Sequence, residues 1–128
     1  MGYDEVQKES DLPSISGQYL LSGHSRKMMK YEGNYQHIPP SELVLASDHT
    51  YQLHNAPDWM FNDFGEPHGQ YTDKIGRWNL TCNNDGCLIE LEGLMVTPLY
   101  MRNHKAAILI TVGDGDECQG MVYEKVSR

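Results

Sequence analysis

The chain has 128 residues, 39% of them apolar, which suits one domain with a single core and no need of covalent staples. Eighteen acidic side chains against ten basic ones leave a formal charge of −8, a surface that repels nucleic-acid phosphates and anionic membranes and attracts basic partners. The run from Met1 to Asp11, MGYDEVQKESD, has neither the basic nor the apolar region of a secretory signal, and no stretch reaches membrane-spanning length, so a soluble cytoplasmic protein is expected.

Residues 1–16 are polar and acidic, ending in Leu12-Pro13-Ser14, and read as a loosely held arm ahead of one domain over 17–128. Gly2 does not complete a myristoylation signal, because position 6 is Val6 rather than Ser or Thr. Gly17 to Leu21, with Tyr19 and Leu21 on one face, predicts a first strand. His24 to Lys30 gathers Arg26, Lys27 and Lys30 around Met28 and Met29 into a basic island, as a short helical turn or a loop, and Pro39 and Pro40 close that region. From Ser41 to Leu53 apolar and polar residues alternate on either side of Ser47-Asp48-His49, a hairpin with Leu43, Leu45, Tyr51 and Leu53 inward. Asp48 suits the turn because its carboxylate can accept backbone hydrogen bonds two residues on.

The segment from His54 to Lys74 reads as a long connection, yet it carries Trp59, Phe61, Phe64 and Tyr71 among Asp58, Asp63, Glu66 and Asp73. Apolar anchors set in local negative charge are a common composition for a protein-binding surface. Two readings stay open: the rings plug an open end of the fold, or at least one anchors a partner whose basic groups meet Asp58, Asp63 and Glu66.

Alternation resumes from Gly76 to Thr81, Asn83-Asn84-Asp85-Gly86 signals a turn, and Cys87 to Leu91 returns as its partner in a second hairpin. Cys82 and Cys87 bracket that turn and could be brought close across it, but in a cytoplasmic chain they are expected, with Cys118, as reduced thiols in or near the core. Leu94 to Met101 holds Pro98 in its middle, so a strand there lies at an edge or is interrupted. Lys105 to Val112 is the most β-like run, dense enough in branched residues to be buried on both faces. Gly113 to Glu117 breaks it, and Gln119 to Val126 supplies the last strand. Seven or eight short strands with frequent turns predict an all-β, single-domain antiparallel meander, closed into a small barrel or folded as a sandwich.

The order Gly17-x-Tyr19, Glu42-Leu43-Val44-Leu45-x-x-Asp48-x-Thr50-Tyr51, Gly76-x-Trp78-x-Leu80, Ile89-x-Leu91, Val112-Gly113-Asp114-x-Asp116 and Tyr123-Glu124-Lys125 resembles a set of small bacterial β-barrel proteins of lipocalin-like shape. That set includes cytoplasmic immunity proteins of toxin systems such as contact-dependent growth inhibition. The resemblance spans about Gly17 to Lys125, with short motifs that are mostly structural. His49 departs from it, standing where the turn would prefer Gly. The resemblance implies a lipocalin-like barrel and carries no catalytic residues.

Asp114, Asp116 and Glu117 fall within four residues but lack the spacing of a calcium loop, and they read as a solvated acidic turn. The six histidines form no HxH or HxxE pair, and Ser22-Gly23-His24-Ser25 is only turn-like, so no metal, no cofactor and no catalysis are expected. Combined with the resemblance, this leads to an immunity protein that neutralises a basic nuclease domain by covering its active site, as a monomer in a 1:1 complex. The expected contact residues are Asp58, Trp59, Phe61, Asp63, Glu66, Asp114, Asp116 and Glu117. The alternative is a carrier of a small apolar ligand in the barrel lumen.

Overall fold

Strands β1 (Asp4–Glu5), β2 (Gly17–Leu21), β3 (Glu42–Leu45), β4 (Thr50–Pro57), β5 (Tyr71–Asn83), β6 (Gly86–Leu91), β7 (Met95–Pro98), β8 (Tyr100–Arg102), β9 (Lys105–Thr111) and β10 (Gly120–Lys125) form one antiparallel sheet, with the helix α1 (Gly23–Tyr31) between β2 and β3. The computed structural model describes residues 3–12, 14–31, 33–61, 68–111 and 120–126. Runs β2 to β7 and β8 to β10 are meanders, β10 pairs with β2, and β1 pairs with β8, so the sheet curls into a barrel closed except for one seam. Three backbone bonds meet at one end of that seam: the first extends the β1–β8 ladder, the second the β6–β7 ladder, and the third joins the two sides. Val6 N donates to Leu99 O at 2.8 Å, Leu99 N to Cys87 O at 2.9 Å, and Cys87 N to Val6 O at 3.0 Å.

The two-residue period of a strand puts Tyr19 and Leu21, Leu43 and Leu45, Tyr51 and Leu53, Ile89 and Leu91, Ile108 and Ile110, and Met121 and Tyr123 on the inner face, all buried. Each such Leu or Ile contributes on the order of 2 kcal/mol relative to exposure. The β9 run is less two-sided than its composition predicts. Ala106, Ile108 and Ile110 join the core, whereas on the outer face Ala107 is buried and Leu109 only half-buried.

Both predicted hairpins are present. In the β3–β4 turn, Asp48 Oδ1 accepts from Thr50 N at 3.0 Å and from Thr50 Oγ1 at 2.6 Å, and His49 holds the left-handed φ of 69°. These bonds to Thr50 hold the Asp48 carboxyl below its ordinary pKa. His49 is kept there by its ring, stacked on Trp78 at 4.2 Å. The expected break at Pro98 is the step from β7, at one edge of the sheet, to β8. The basic island is a nine-residue helix: the Ser22 hydroxyl accepts from Ser25 N at 3.1 Å in the manner of an N-cap, and Met28 and Met29 are buried.

Two expectations are corrected. The N-terminal arm is not loose, because Val6, Leu12 and Ile15 are in the core, Tyr19 Oη donates to Ile15 O at 2.5 Å, and Tyr3 donates to Glu124 on β10 at 2.8 Å. Cys82 and Cys87 are not free thiols but a disulfide: the tight turn at Asn83 to Gly86 puts them directly opposite in register, with Cα atoms 4.0 Å apart. Cys118 lies outside the described residues. No helix among the described residues is long and apolar enough to cross a membrane.

Candidate interaction surface at the helical end of the barrel

The His54 to Lys74 segment is mostly strand rather than loop. β4 continues to Pro57 through a bulge between Leu53 and Ala56, where Asn55 has φ 53° and its N–H reaches Asp73 Oδ1 at 2.9 Å, and β5 begins at Tyr71. Between them a 3₁₀ turn, Asp58–Met60, follows Pro57, whose missing N–H is no loss at a strand end.

That turn sorts its side chains by burial. Trp59 and Met60 face inward at 5% and 8% exposure, whereas Phe61 is displayed at 37%. The Trp59 ring meets Tyr35 edge-on at 5.8 Å and lies over Gly33, where a Cβ would come within 2.8 Å of both rings; only glycine fits. Its indole Nε1 is buried without a hydrogen-bond partner among the described residues.

Asp58 is half-buried and held: Oδ1 accepts from Tyr35 Oη at 2.6 Å, and the carboxylate accepts from the His68 N–H at 3.2 and 3.0 Å. The Tyr35 hydroxyl also accepts from Trp59 N at 3.2 Å. Burial first, then donation to Asp58, pushes the Tyr35 phenol well above its ordinary pKa. Tyr71 donates to His37 O and packs against Tyr35 at 5.7 Å, so this ring too is part of the packing.

Of the expected contact residues, then, Asp58 and Trp59 organise the turn from within and Phe61 is presented outward. Asp63 and Glu66, with Phe64, lie outside the described residues, as do Asp114, Asp116 and Glu117. The stems of both acidic segments stand at the end of the barrel that carries α1. Phe61 and His68 follow the Trp59–Gly33 contact, and the Thr111–Gly120 pair begins β10, whose Val122 N–H donates to Ser25 Oγ of α1 at 2.9 Å.

Tyr35 is the organising residue that sequence reading missed. Its neighbours Gly33 and Asn34 mark a turn, but nothing local tells that its hydroxyl serves Asp58. Among the described residues no three His, Cys, Asp or Glu side chains cluster in a way that could hold a metal ion. The fold defines the class as an all-β antiparallel barrel. No protein-family model, curated protein or solved structure matches the chain.

Proposed function

We propose that this barrel is a protein-binding inhibitor of the immunity type, which captures a basic toxin domain, a nuclease, at its α1 end. The observation that supports it is the presentation of Phe61: an exposed ring on a turn anchored by buried Trp59 and Met60, in a chain of net charge −8, with Asp63 and Glu66 next in sequence. A nuclease pocket must carry cationic groups for phosphate, so a carboxylate-rich face competes with substrate for the same positions and speeds capture. Asp114, Asp116 and Glu117 belong to the same proposed face, since their stem adjoins α1.

The place of action we propose is the cytoplasm. The Cys82–Cys87 disulfide counts against that compartment, since structural disulfides are rare in the cytosol, and recovery of the oxidised pair from thiol-trapped cells would place the protein elsewhere. The carrier alternative is disfavoured because Tyr19, Tyr51, Tyr123 and the aliphatic residues of the inner face fill the lumen it would need.

The test is a pull-down at low and high salt against a panel of bacterial nuclease toxin domains, any that is encoded beside this chain included, with wild type and Phe61→Ala. Salt-sensitive capture that weakens at least tenfold in the variant supports the proposal. Absence of capture, or capture unaffected by both salt and the substitution, overturns it.

A further inference from the structure

The opposite end of the barrel has a different chemistry. Gly17 opens β2, Leu45 ends β3, Lys105 opens β9 and Lys125 ends β10, so all four stand at the mouth away from α1, which follows the far end of β2. There the arm residues Ser14 and Ser16 and the turn residue Ser47 border a cleft of about 590 Å³, with Gln18, Lys105 and Lys125 in its walls.

Lys125 is the informative residue. In β10 it continues the inward series Met121, Tyr123, and it is in register with the fully buried Tyr19. An inward position would ordinarily be apolar, yet here it holds an ammonium. Room for the stem comes from Gly17: a Cβ there would stand 3.0 Å from Lys125 Cε, and its φ of +140° is one that side-chain residues rarely adopt. The Nζ donates to Ser14 O at 2.8 Å, which uses one of its three donors.

Among the described residues no carboxylate stands within ion-pair distance of Lys105 or Lys125, although the chain has 18 acidic side chains. Nearby Arg102, by contrast, is neutralised by Glu124 at 2.8 Å. The β8–β9 turn adds His104 to the rim with φ 62°, after Asn103 at 55°; a non-glycine residue in that region is uncommon and keeps an imidazole at the cleft.

We propose that this mouth is a binding site for a small, non-aromatic anion carrying at least two negative charges. Two ammoniums that have no ion-pair partner among the described residues border one cleft, and an anion between them relieves their repulsion while gaining charge-assisted hydrogen bonds. The hydroxyls of Ser14, Ser16 and Ser47 complement a hydroxylated ligand, whereas the Gln18 amide nitrogen is taken by the Glu42 carboxylate. Among the described residues no Phe, Tyr or Trp lines the cleft and His104 on its rim is the one ring, so a nucleobase lacks the broad stacking platform that base-binding grooves supply. Polycarboxylates and sugar phosphates share the chemistry required, and both lie within the proposal.

The experiment is a titration of the full chain, followed by backbone amide NMR, with citrate, with a hexose bisphosphate and with AMP as separate probes. Saturable shifts at Gly17, Gln18, Lys105 and Ala106 are expected with at least one of the first two, and which of them binds tighter tells polycarboxylate from sugar phosphate. Lys105→Gln and Lys125→Gln should each raise Kd about tenfold, consistent with loss of one charge-assisted contact. Lys27→Gln on α1 should leave Kd unchanged. The Lys105 side chain makes no polar contact among the described residues, so its variant remains informative if loss of the Lys125–Ser14 bond impairs folding. Absence of saturable shifts with both anions, equal effects of Lys27→Gln and Lys105→Gln, or tighter binding of AMP than of either would overturn the assignment.

Discussion

Removing the Tyr35 hydroxyl separates an organising role for Asp58 from a partner-facing one. Tyr35→Phe keeps the ring that meets Trp59 edge-on and deletes only the oxygen that donates to Asp58 at 2.6 Å and accepts from Trp59 N at 3.2 Å. A hydrogen bond to a charged acceptor contributes roughly 1.5–3 kcal/mol and a neutral one about 1 kcal/mol, so a loss of about 3 kcal/mol is expected. Asp58→Ala removes the same bond together with the acceptor of the His68 N–H. The two changes share one interaction, and the double variant should therefore be about 2 kcal/mol more stable than the sum of the single losses predicts. Urea unfolding of the four proteins, followed by tryptophan fluorescence and circular dichroism, gives that coupling. A coupling below about 0.5 kcal/mol, within the scatter of additivity for independent sites, would refute the claim that Asp58 is held through Tyr35.

The neighbouring rings should part company in the same assay: Trp59→Ala should cost about 3–5 kcal/mol as a core deletion, and Phe61→Ala less than about 0.5 kcal/mol. Similar losses at the two positions would contradict the sorting of the turn into an inward and an outward face. Replacing Cys82 and Cys87 together by Ser should lower stability by about 2 kcal/mol through the entropy of the small closed loop, measured without reductant; equal stability of variant and wild type would show that the bond constrains nothing. At alkaline pH, burial and donation to Glu124 push Tyr3 from 10.0 to about 12, and burial pushes Tyr123 to about 12. The folded state thus favours both neutral phenols. Their stabilisation is complete below the unfolded value of 10.0 and is lost as pH rises through about 12. Phenolate absorbance from all tyrosines near the unfolded value, with the fold intact, would disprove this.

The hairpins of Leu43 to Leu53 and Gly76 to Leu91 were legible because everything they need is local: alternation sets which face is inward, and Asp48 or Asn83-Asn84-Asp85-Gly86 supplies the turn. The bulge at Asn55 is not legible, because it interrupts the alternation that marks a strand while pairing continues to Pro57 and Tyr71. The rings of Trp59 and Phe61 are equally apolar and two positions apart, and sequence offers no sign that one lies inside and the other outside. That follows from the 3₁₀ turn and from the space above Gly33.

What the sequence by itself determined is the all-β class and the core alternation, since a period of two is a property of each strand alone. Tertiary structure decided what depends on chain closure. The pairing of β1 with β8 turns an acidic arm into part of the barrel, and the register of β5 with β6 brings Cys82 onto Cys87. The convergence of β2, β9 and β10 at one mouth places Lys105 and Lys125 around a shared cleft. Contacts of this kind join residues on separate strands, and no local pattern encodes them, because the energy that fixes them comes from burying the whole inner face at once.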